Sequence, residues 1–233
     1  MIDIKDSSKF AHTYSLERLQ SFVYSENDTL NDIINNYSNN VKISQAIYPE
    51  LCTLEIILRN SIDNVLKQHI SKTWIEDEIK NNVLLEPYEY EILVNTYNDT
   101  KKECLNASKD FTIGKVVANL NFGFWTNLCV KKYNAKIWNK PKCFYGVFVN
   151  YPHKFSINNI AQKLYKIRRF RNRVFHYEKI FKYPDKTLEL YNNILEILSY
   201  LPKDELEILR HTSTFLNTYN NILKNISISN KKT

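Results

Sequence analysis

The sequence predicts an all-α protein, a bundle of about four main helices with helical extensions at both ends. Only 3 Gly and 6 Pro occur among 233 residues, so few tight turns can be specified. Turn-forming residues do not recur at the regular spacing that a β-sandwich or barrel needs. Several long segments instead place apolar residues every three or four positions, the period of an amphipathic helix. A chain of this length can bury one main core.

The N-terminal part predicts two short amphipathic helices, over residues 15–24 and 29–37. The Asn- and Ser-rich stretches SENDT and NNYSNN separate and follow these helices, and their composition is typical of turns. We therefore expect residues 1–48 to form a helical appendage to the main bundle.

The main bundle is predicted to begin at Pro49, because proline is favoured in the first turn of a helix. Runs of apolar residues at helical spacing predict its helices. We expect the bundle to span residues 49–202, and a C-terminal helix opened by Pro202, with a frayed tail, to span residues 203–233. The predicted helices of the bundle cover residues 49–70, 85–108, 112–133, 156–181 and 184–201, with an ordered loop at 134–154.

The positive charge of the chain is concentrated in one segment. Residues 111–177 contain no Asp or Glu but hold thirteen of the 32 Lys and Arg, so the other 19 share the rest of the chain with all 25 acidic residues. A phosphate backbone is expected to bind such a segment, although a solvated Lys-rich face gives the same pattern. The candidates for contact with an RNA backbone are Lys131, Lys132, Lys163, Lys166, Arg168, Arg169 and Arg173.

Several other classes of protein are not indicated. The N-terminus has no apolar signal core and no run approaches about 18 apolar residues, so we expect a cytoplasmic protein without a membrane partner. The four Cys residues are widely spaced and form no C-x-x-C, which predicts reduced thiols. Metalloprotease, serine-hydrolase, P-loop and dinucleotide motifs are absent, and we expect no cofactor. Because the basic segment lacks carboxylates, we expect no two-metal nuclease site there.

The sequence RNRVFH, residues 171–176, contains the candidate catalytic residues. On one straight helix Asn172 and His176 lie about 40° apart, whereas Arg171 and His176 lie about 140° apart. A second copy of the same helix, related by a two-fold axis, would bring an Arg and a His together in one cleft. A homodimer with a composite site is therefore predicted.

Such a site can cleave RNA without a metal. The 2′-hydroxyl attacks the neighbouring phosphorus when imidazole, which changes its charge near neutral pH, moves protons and a guanidinium fork binds the phosphoryl oxygens. Arg171 is then the phosphate contact and His176 the proton-transfer group, while Asn172 orients the imidazole or donates to a phosphate oxygen. R-x4-H alone is also a frequent chance pattern on a solvated basic helix. The other histidines, which lack such surroundings, are His12, His69, His153 and His211.

These residues resemble the signature of the HEPN superfamily, R-x(4-6)-H with a polar residue after the Arg. More narrowly, the chain resembles the Abi-like proteins of the AbiD/AbiF type, which are bacterial abortive-infection factors. Three blocks follow the order and spacing of that family, and the resemblance covers residues 49–201. The blocks are LEIILRN at 54–60, GKVVANLNFGFWTNL at 114–128 and RNRVFHYEKIF at 171–181.

The resemblance implies a HEPN-type helical bundle that dimerises into a metal-independent endoribonuclease, a toxin in anti-phage defence. It implies cleavage of single-stranded RNA or tRNA to 2′,3′-cyclic phosphate and 5′-hydroxyl ends. It also implies a small non-coding RNA as antitoxin, with Arg171, Asn172 and His176 as the catalytic set.

Glu55, Arg59 and Asn60 match a second polar cluster of the family. Glu55 and Arg59 stand four residues apart on one predicted helix, so an ion pair within the helix is the simpler interpretation, and support of the catalytic residues is the other. HEPN toxins controlled by a nucleotidyltransferase carry a Tyr three residues after the His, where this chain has Lys179. We therefore expect control by a bound RNA or protein.

Two further functions compete with the ribonuclease. A non-catalytic RNA-binding or scaffolding HEPN module would keep the bundle and the basic face without cutting RNA. A DNA-binding helix-turn-helix regulator is disfavoured, because no short turn of that motif precedes the basic helix. DNA is therefore not expected as a partner.

Overall fold

The computed structural model describes residues 13–152, 154, 156–203 and 206–229. The predictions made for His12, His153 and the end of the tail lie outside these residues. The described residues are 76% helical and contain no strand, which confirms the all-α prediction. The helices of the described residues are α1 (Leu16–Gln20), α2 (Leu30–His69), α3 (Trp74–Asn81), α4 (Pro87–Asn106), α5 (Ile113–Asn119), α6 (Phe122–Leu128), α7 (Pro141–Val147), α8 (Ile157–Phe175), α9 (Pro184–Tyr200), α10 (Glu207–Thr212) and α11 (Phe215–Ser229).

Helix α2 runs without a break through the stretch that the sequence predicts as a turn. The prediction of a short helix at 29–37 and a separate helix beginning at Pro49 is therefore wrong, since one helix of 40 residues covers both. Ile34, Ile43 and Ile47 are buried along it, and this burial overrides the turn-like composition of the Asn-rich segment. Pro49 has no N–H, so the carbonyl of Gln45 loses its usual hydrogen bond within the helix. Gln45 is exposed to solvent.

The single helix predicted over 112–133 is also wrong, because two helices, α5 and α6, occupy its first part. Leu120 has an extended backbone with ψ of 125°. The side chain of Asn121 then accepts a 2.9 Å hydrogen bond from the backbone N–H of Phe124. An Asn at this position is a favoured N-cap, and it begins a new helix.

The predicted loop at 134–154 contains more helix than one turn. A π-helical turn at Asn134–Trp138 and helix α7 lie in it, and Trp138, Phe144 and Phe148 are buried. A Cβ atom on Gly146 would lie 2.7 Å from a methyl group of Val65. The segment is therefore part of a packed core, and its aromatic rings are mostly unavailable to a ligand.

Helices α4 and α9 confirm the predictions made for 85–108 and 184–201, and each begins at a proline. The helix predicted from Pro202 is wrong in its bounds, since α10 begins at Glu207 and α11 follows a break at residues 213–214. At this break the hydroxyl of Ser213 donates to the buried carboxylate of Glu50. A hydrogen bond between residues far apart in the sequence thus lies at the break between α10 and α11.

Two compact units make up the chain, and each is described by itself. The first contains the described residues of 13–52, 169–194 and 208–229, and the rings of Tyr191 and Phe215 stack 4.1 Å apart in it. The second contains the described residues of 53–168 and 195–207, and Trp125 and Trp138 are fully buried in it. The domain boundaries predicted after residues 48 and 202 stay a prediction. No helix in the described part of the chain is long and apolar enough to cross a membrane.

Candidate active site

His176 lies just beyond the end of α8, and its side chain is exposed. The prediction that this helix continues to residue 181 is wrong, since α8 ends at Phe175. The backbone N–H of Tyr177 bonds to the carbonyl of Val174 at 3.2 Å, and that of Glu178 bonds to the carbonyl of Arg173 at 2.9 Å. These two bonds form the Schellman motif that ends many helices.

The Schellman motif of α8 is unusual because Tyr177 occupies the left-handed position, with φ of 57°. Glycine, which has no Cβ atom, is the common residue there, and an L-residue is less stable in that conformation by about 1–2 kcal/mol. Contacts from elsewhere in the first unit must therefore hold the chain after His176 in place.

Asn40 of α2 makes the main contacts with the chain after His176. Its side chain is 2% exposed. Its Nδ2 donates to the carbonyl of Glu178 at 3.1 Å, while its Oδ1 accepts from the N–H groups of Ile180 and Phe181 at 2.7 and 3.2 Å. A buried carboxamide with three backbone partners fixes this segment firmly. Sequence reasoning missed this residue, since nothing in an Asn-rich stretch singles out one Asn.

Two more side chains fasten the same segment. Thr187 of α9 is buried and donates its hydroxyl to the carbonyl of Ile180. Arg173 of α8 donates to the carbonyl of Lys179 and, at 3.2 Å, to the carboxylate of Glu178. His176 is therefore exposed at the start of a segment that side chains of α8 and α9 hold in place.

The three predicted catalytic residues lie together at the C-terminal end of α8. The guanidinium of Arg171 is half-buried and stands over the ring of Phe175, with 4.2 Å between its carbon and the ring centroid. Asn172 is exposed, and its carbonyl accepts a 2.9 Å bond from the backbone N–H of His176. The last turn of α8 and the residue after it thus contain a guanidinium, a carboxamide and an imidazole.

The second predicted cluster, Glu55, Arg59 and Asn60, lies in the second unit. Arg59 donates to the carbonyl of Ala118 at 3.1 Å and to the side chain of Asn60 at 3.2 Å. Glu55 and Arg59 are half-buried, and Asn60 is exposed. The proposed support of the catalytic residues by this cluster stays a prediction.

Several of the predicted RNA-binding cations have partners within the protein. Lys132 lies 2.7 Å from the carboxylate of Glu89, which is only 1% exposed. Lys163 forms an ion pair with Glu196 at 2.5 Å. Glu89 and Glu196 both lie outside the acid-free segment, so folding compensates part of its charge with acids from distant positions.

Arg168 also has a structural role in the second unit. Its guanidinium donates to the side-chain oxygen of Asn127 and, at 3.4 Å, to the carbonyl of Gly123. The amide nitrogen of Asn127 donates in turn to Glu89 at 3.0 Å, and the hydroxyl of Tyr133 donates to the same carboxylate at 2.7 Å. Arg168 is therefore the half-buried end of a polar network whose other end, at Glu89 and Tyr133, is buried.

Besides Lys132, which is exposed but bound to Glu89, three of the predicted RNA-binding residues are exposed: Lys131, Lys166 and Arg169. The backbone-binding prediction applies best to these, because their charges face solvent. Arg173 is half-buried and bound to Glu178, so contact with a phosphate would have to compete with that carboxylate.

Among the described residues, no group of three His, Cys, Asp or Glu side chains is placed so that it could hold a metal ion. Comparisons of the chain with protein-family models, with curated proteins and with solved structures found no match. The function of the chain is therefore inferred from its own residues.

Proposed function

We propose that this protein is a metal-independent endoribonuclease with Arg171, Asn172 and His176 as its catalytic residues. One observation carries the proposal: His176 is exposed at the end of α8, on a segment that Asn40 fixes through three hydrogen bonds. A histidine with only a structural role has no need of such a rigid, solvent-facing position. Preorganised catalytic groups do need one.

The chemistry requires no group beyond those of the chain and its substrate. The 2′-oxygen of one ribose attacks the adjacent phosphorus and loses its proton to an imidazole, while the bond from phosphorus to the 5′-oxygen breaks. The departing 5′-oxygen takes a proton from an imidazole. The products are a 2′,3′-cyclic phosphate and a 5′-hydroxyl, and Arg171 stabilises the charge that develops on the phosphoryl oxygens.

We infer a homodimer, because the active site needs both an acid and a base and the described part of one chain offers a single histidine here. In a two-fold arrangement each copy supplies one imidazole and one guanidinium. Mixing wild-type chains with His176→Ala chains under exchange conditions should then lower activity more steeply than dilution of the wild type alone, because a mixed dimer lacks one imidazole. Activity that falls only in proportion to the wild-type chains present would contradict a site shared between copies.

The resemblance to Abi-like HEPN proteins supports a biological setting for this activity. We propose a cytoplasmic toxin of an anti-phage system that acts on single-stranded RNA or tRNA, with a small non-coding RNA as the antitoxin. A discrete small RNA that copurifies with the protein at moderate salt would support this part of the proposal. Protein that is toxic and copurifies with no RNA would oppose it.

The direct test compares two histidine variants. Purified protein, freed of bound RNA, is incubated with single-stranded RNA or tRNA in EDTA. His176→Ala should abolish cleavage and growth toxicity while RNA affinity stays near that of the wild type. His211→Ala changes another exposed histidine, in α10, and should cleave normally. Binding without any cleavage by the wild-type chain would favour the non-catalytic RNA-binding module instead.

A further inference from the structure

A pocket of about 390 Å³ lies within the first unit, between α2 and the end of α8. Tyr37 and Tyr48 of α2 line it, together with Phe175 and Tyr177, the residues on either side of His176. Its volume falls in the range of small-molecule binding sites. Because neighbouring Cα atoms are only about 3.8 Å apart, a ligand in this pocket lies close to the backbone of the candidate catalytic histidine.

Aromatic rings at this pocket are left open to solvent. Tyr48 is 51% exposed, Phe175 37% and Tyr177 66%. The ring centroids of Tyr48 and Phe175 are 5.7 Å apart with 49° between the planes, so the two rings diverge instead of stacking on each other. Exposed rings of this kind stack on unpaired bases, since every base has a π-face.

Two guanidinium groups lie against the aromatic rings that line the pocket. Arg171 lies over Phe175, and Arg18 lies 5.7 Å from the ring centroid of Tyr37 and 5.9 Å from that of Tyr177. Cations beside an uncharged aromatic pocket favour a ligand that is flat and carries its negative charge outside the pocket. A nucleotide meets this description, whereas an apolar peptide segment gains nothing from the cations.

One polar side chain of the pocket is available to a base edge. The carboxamide of Asn40 is used on residues 178–181, and the hydroxyl of Ser44 donates to the carbonyl of Asn40 at 2.8 Å. Gln45 lines the pocket and is exposed. Its carboxamide offers a donor and an acceptor side by side, the pattern with which Gln and Asn read base edges.

We propose that this pocket binds one unpaired nucleobase of the substrate RNA, next to the phosphate on which Arg171 and His176 act. The inference rests on the proposed ribonuclease function and adds a base preference at one position. Tyr48 and Phe175 hold the base by stacking, and Gln45 reads its edge. Cleavage is then restricted to single-stranded RNA, because a paired base cannot enter.

The first experiment measures binding without cleavage. The probe is a short single-stranded RNA with a single 2-aminopurine, whose fluorescence falls when the base stacks, added to His176→Ala protein. Binding should quench the fluorescence. A further Tyr48→Ala change should weaken binding roughly tenfold and remove most of the quenching. Tyr88→Ala is the control, because Tyr88 is another exposed tyrosine, 63% accessible and outside the pocket.

The second experiment maps cut sites in the otherwise wild-type chain. Gln45→Met keeps the length of the side chain and removes its donor and acceptor. The base preference beside the cut should relax, while cleavage itself persists. The oligomeric state of Tyr48→Ala is measured by light scattering alongside.

The outcomes separate the pocket from the ribonuclease. If the wild type cuts RNA and both variants keep its affinity and cut sites, the base site is overturned and the ribonuclease stands. If no chain cuts RNA but quenching still depends on Tyr48, the ribonuclease is overturned and base binding stands. If Tyr48→Ala converts a dimer to a monomer, a second copy covers the pocket, which also overturns the base site.

Discussion

The guanidinium carbon of Arg171 lies 4.2 Å from the ring centroid of Phe175, one helical turn further along α8. This cation–π contact limits the positions open to a long side chain. A guanidinium held in this way is oriented before a phosphate arrives, and an ordered fork can bind two phosphate oxygens at once.

Arg171→Lys should therefore lower kcat by about a hundredfold or more, because an ammonium keeps the charge but cannot bind two oxygens in a fixed plane. Arg169→Lys is the matched control, since Arg169 is exposed two positions earlier on the same helix. Steady-state cleavage of a labelled RNA gives both values. Wild-type kcat in Arg171→Lys would rule out a bidentate contact in the transition state.

Asn40→Ala should destabilise the protein by about 3 kcal/mol, because it leaves two buried N–H groups and one carbonyl without partners. Urea unfolding measures the loss. Asn39→Ala, which changes the half-buried neighbour in the same helix, should be nearly neutral. A small effect of Asn40→Ala would mean that other contacts hold the segment after His176.

Lys131 and Lys132 are adjacent in sequence but are expected to behave differently. Lys131→Gln should lower the salt dependence of RNA binding by about one unit of slope and leave stability unchanged. Lys132→Gln should cost about 2 kcal/mol of stability, because the buried carboxylate of Glu89 loses its ion pair. Equal effects of the two changes on the salt slope would show that Lys132 leaves Glu89 to bind RNA.

Glu50 provides a prediction about pH. Burial raises the pKa of its carboxyl above the ordinary value of 4.5, against the opposing hydrogen bond from Ser213. The folded chain then binds this proton more tightly than the unfolded chain, so the contribution of Glu50 to stability is lost as pH rises from about 4.5 through the raised pKa. Glu50→Gln should reduce this fall in unfolding free energy.

Chemical unfolding at a series of pH values, from near 4.5 to neutral, compares the wild type with Glu50→Gln. An unchanged profile in Glu50→Gln would show that the buried carboxyl does not titrate in this range.

The sequence predicted the features that depend on local pattern. Helices α4 and α9 have strong apolar periodicity and a proline at the first position, and both were located within a few residues. The set Arg171, Asn172 and His176 was recognisable because the three residues lie within six consecutive positions. Nearby residues determine such features, so a single sequence contains them.

Features that depend on distant contacts were not predictable. Helix α2 continues through an Asn-rich stretch because Ile34, Ile43 and Ile47 are buried along it. Asn40 donates a hydrogen bond to the carbonyl of Glu178, which is 138 positions away. The end of α8 was missed since Tyr177 takes a conformation that usually indicates glycine. Lys132 pairs with Glu89, which is 43 positions away in the sequence. The absence of acids within the segment therefore led to an overestimate of its uncompensated positive charge.

The chemical ends of the cleaved RNA test the central claim most directly. A labelled single-stranded RNA is incubated with the wild-type chain and with His176→Ala in the presence of EDTA, and the fragments are analysed by mass. The account predicts 2′,3′-cyclic phosphate and 5′-hydroxyl ends from the wild type and no fragments from His176→Ala. Fragments with 5′-phosphate ends, cleavage that requires Mg²⁺, or equal cleavage by His176→Ala would contradict it.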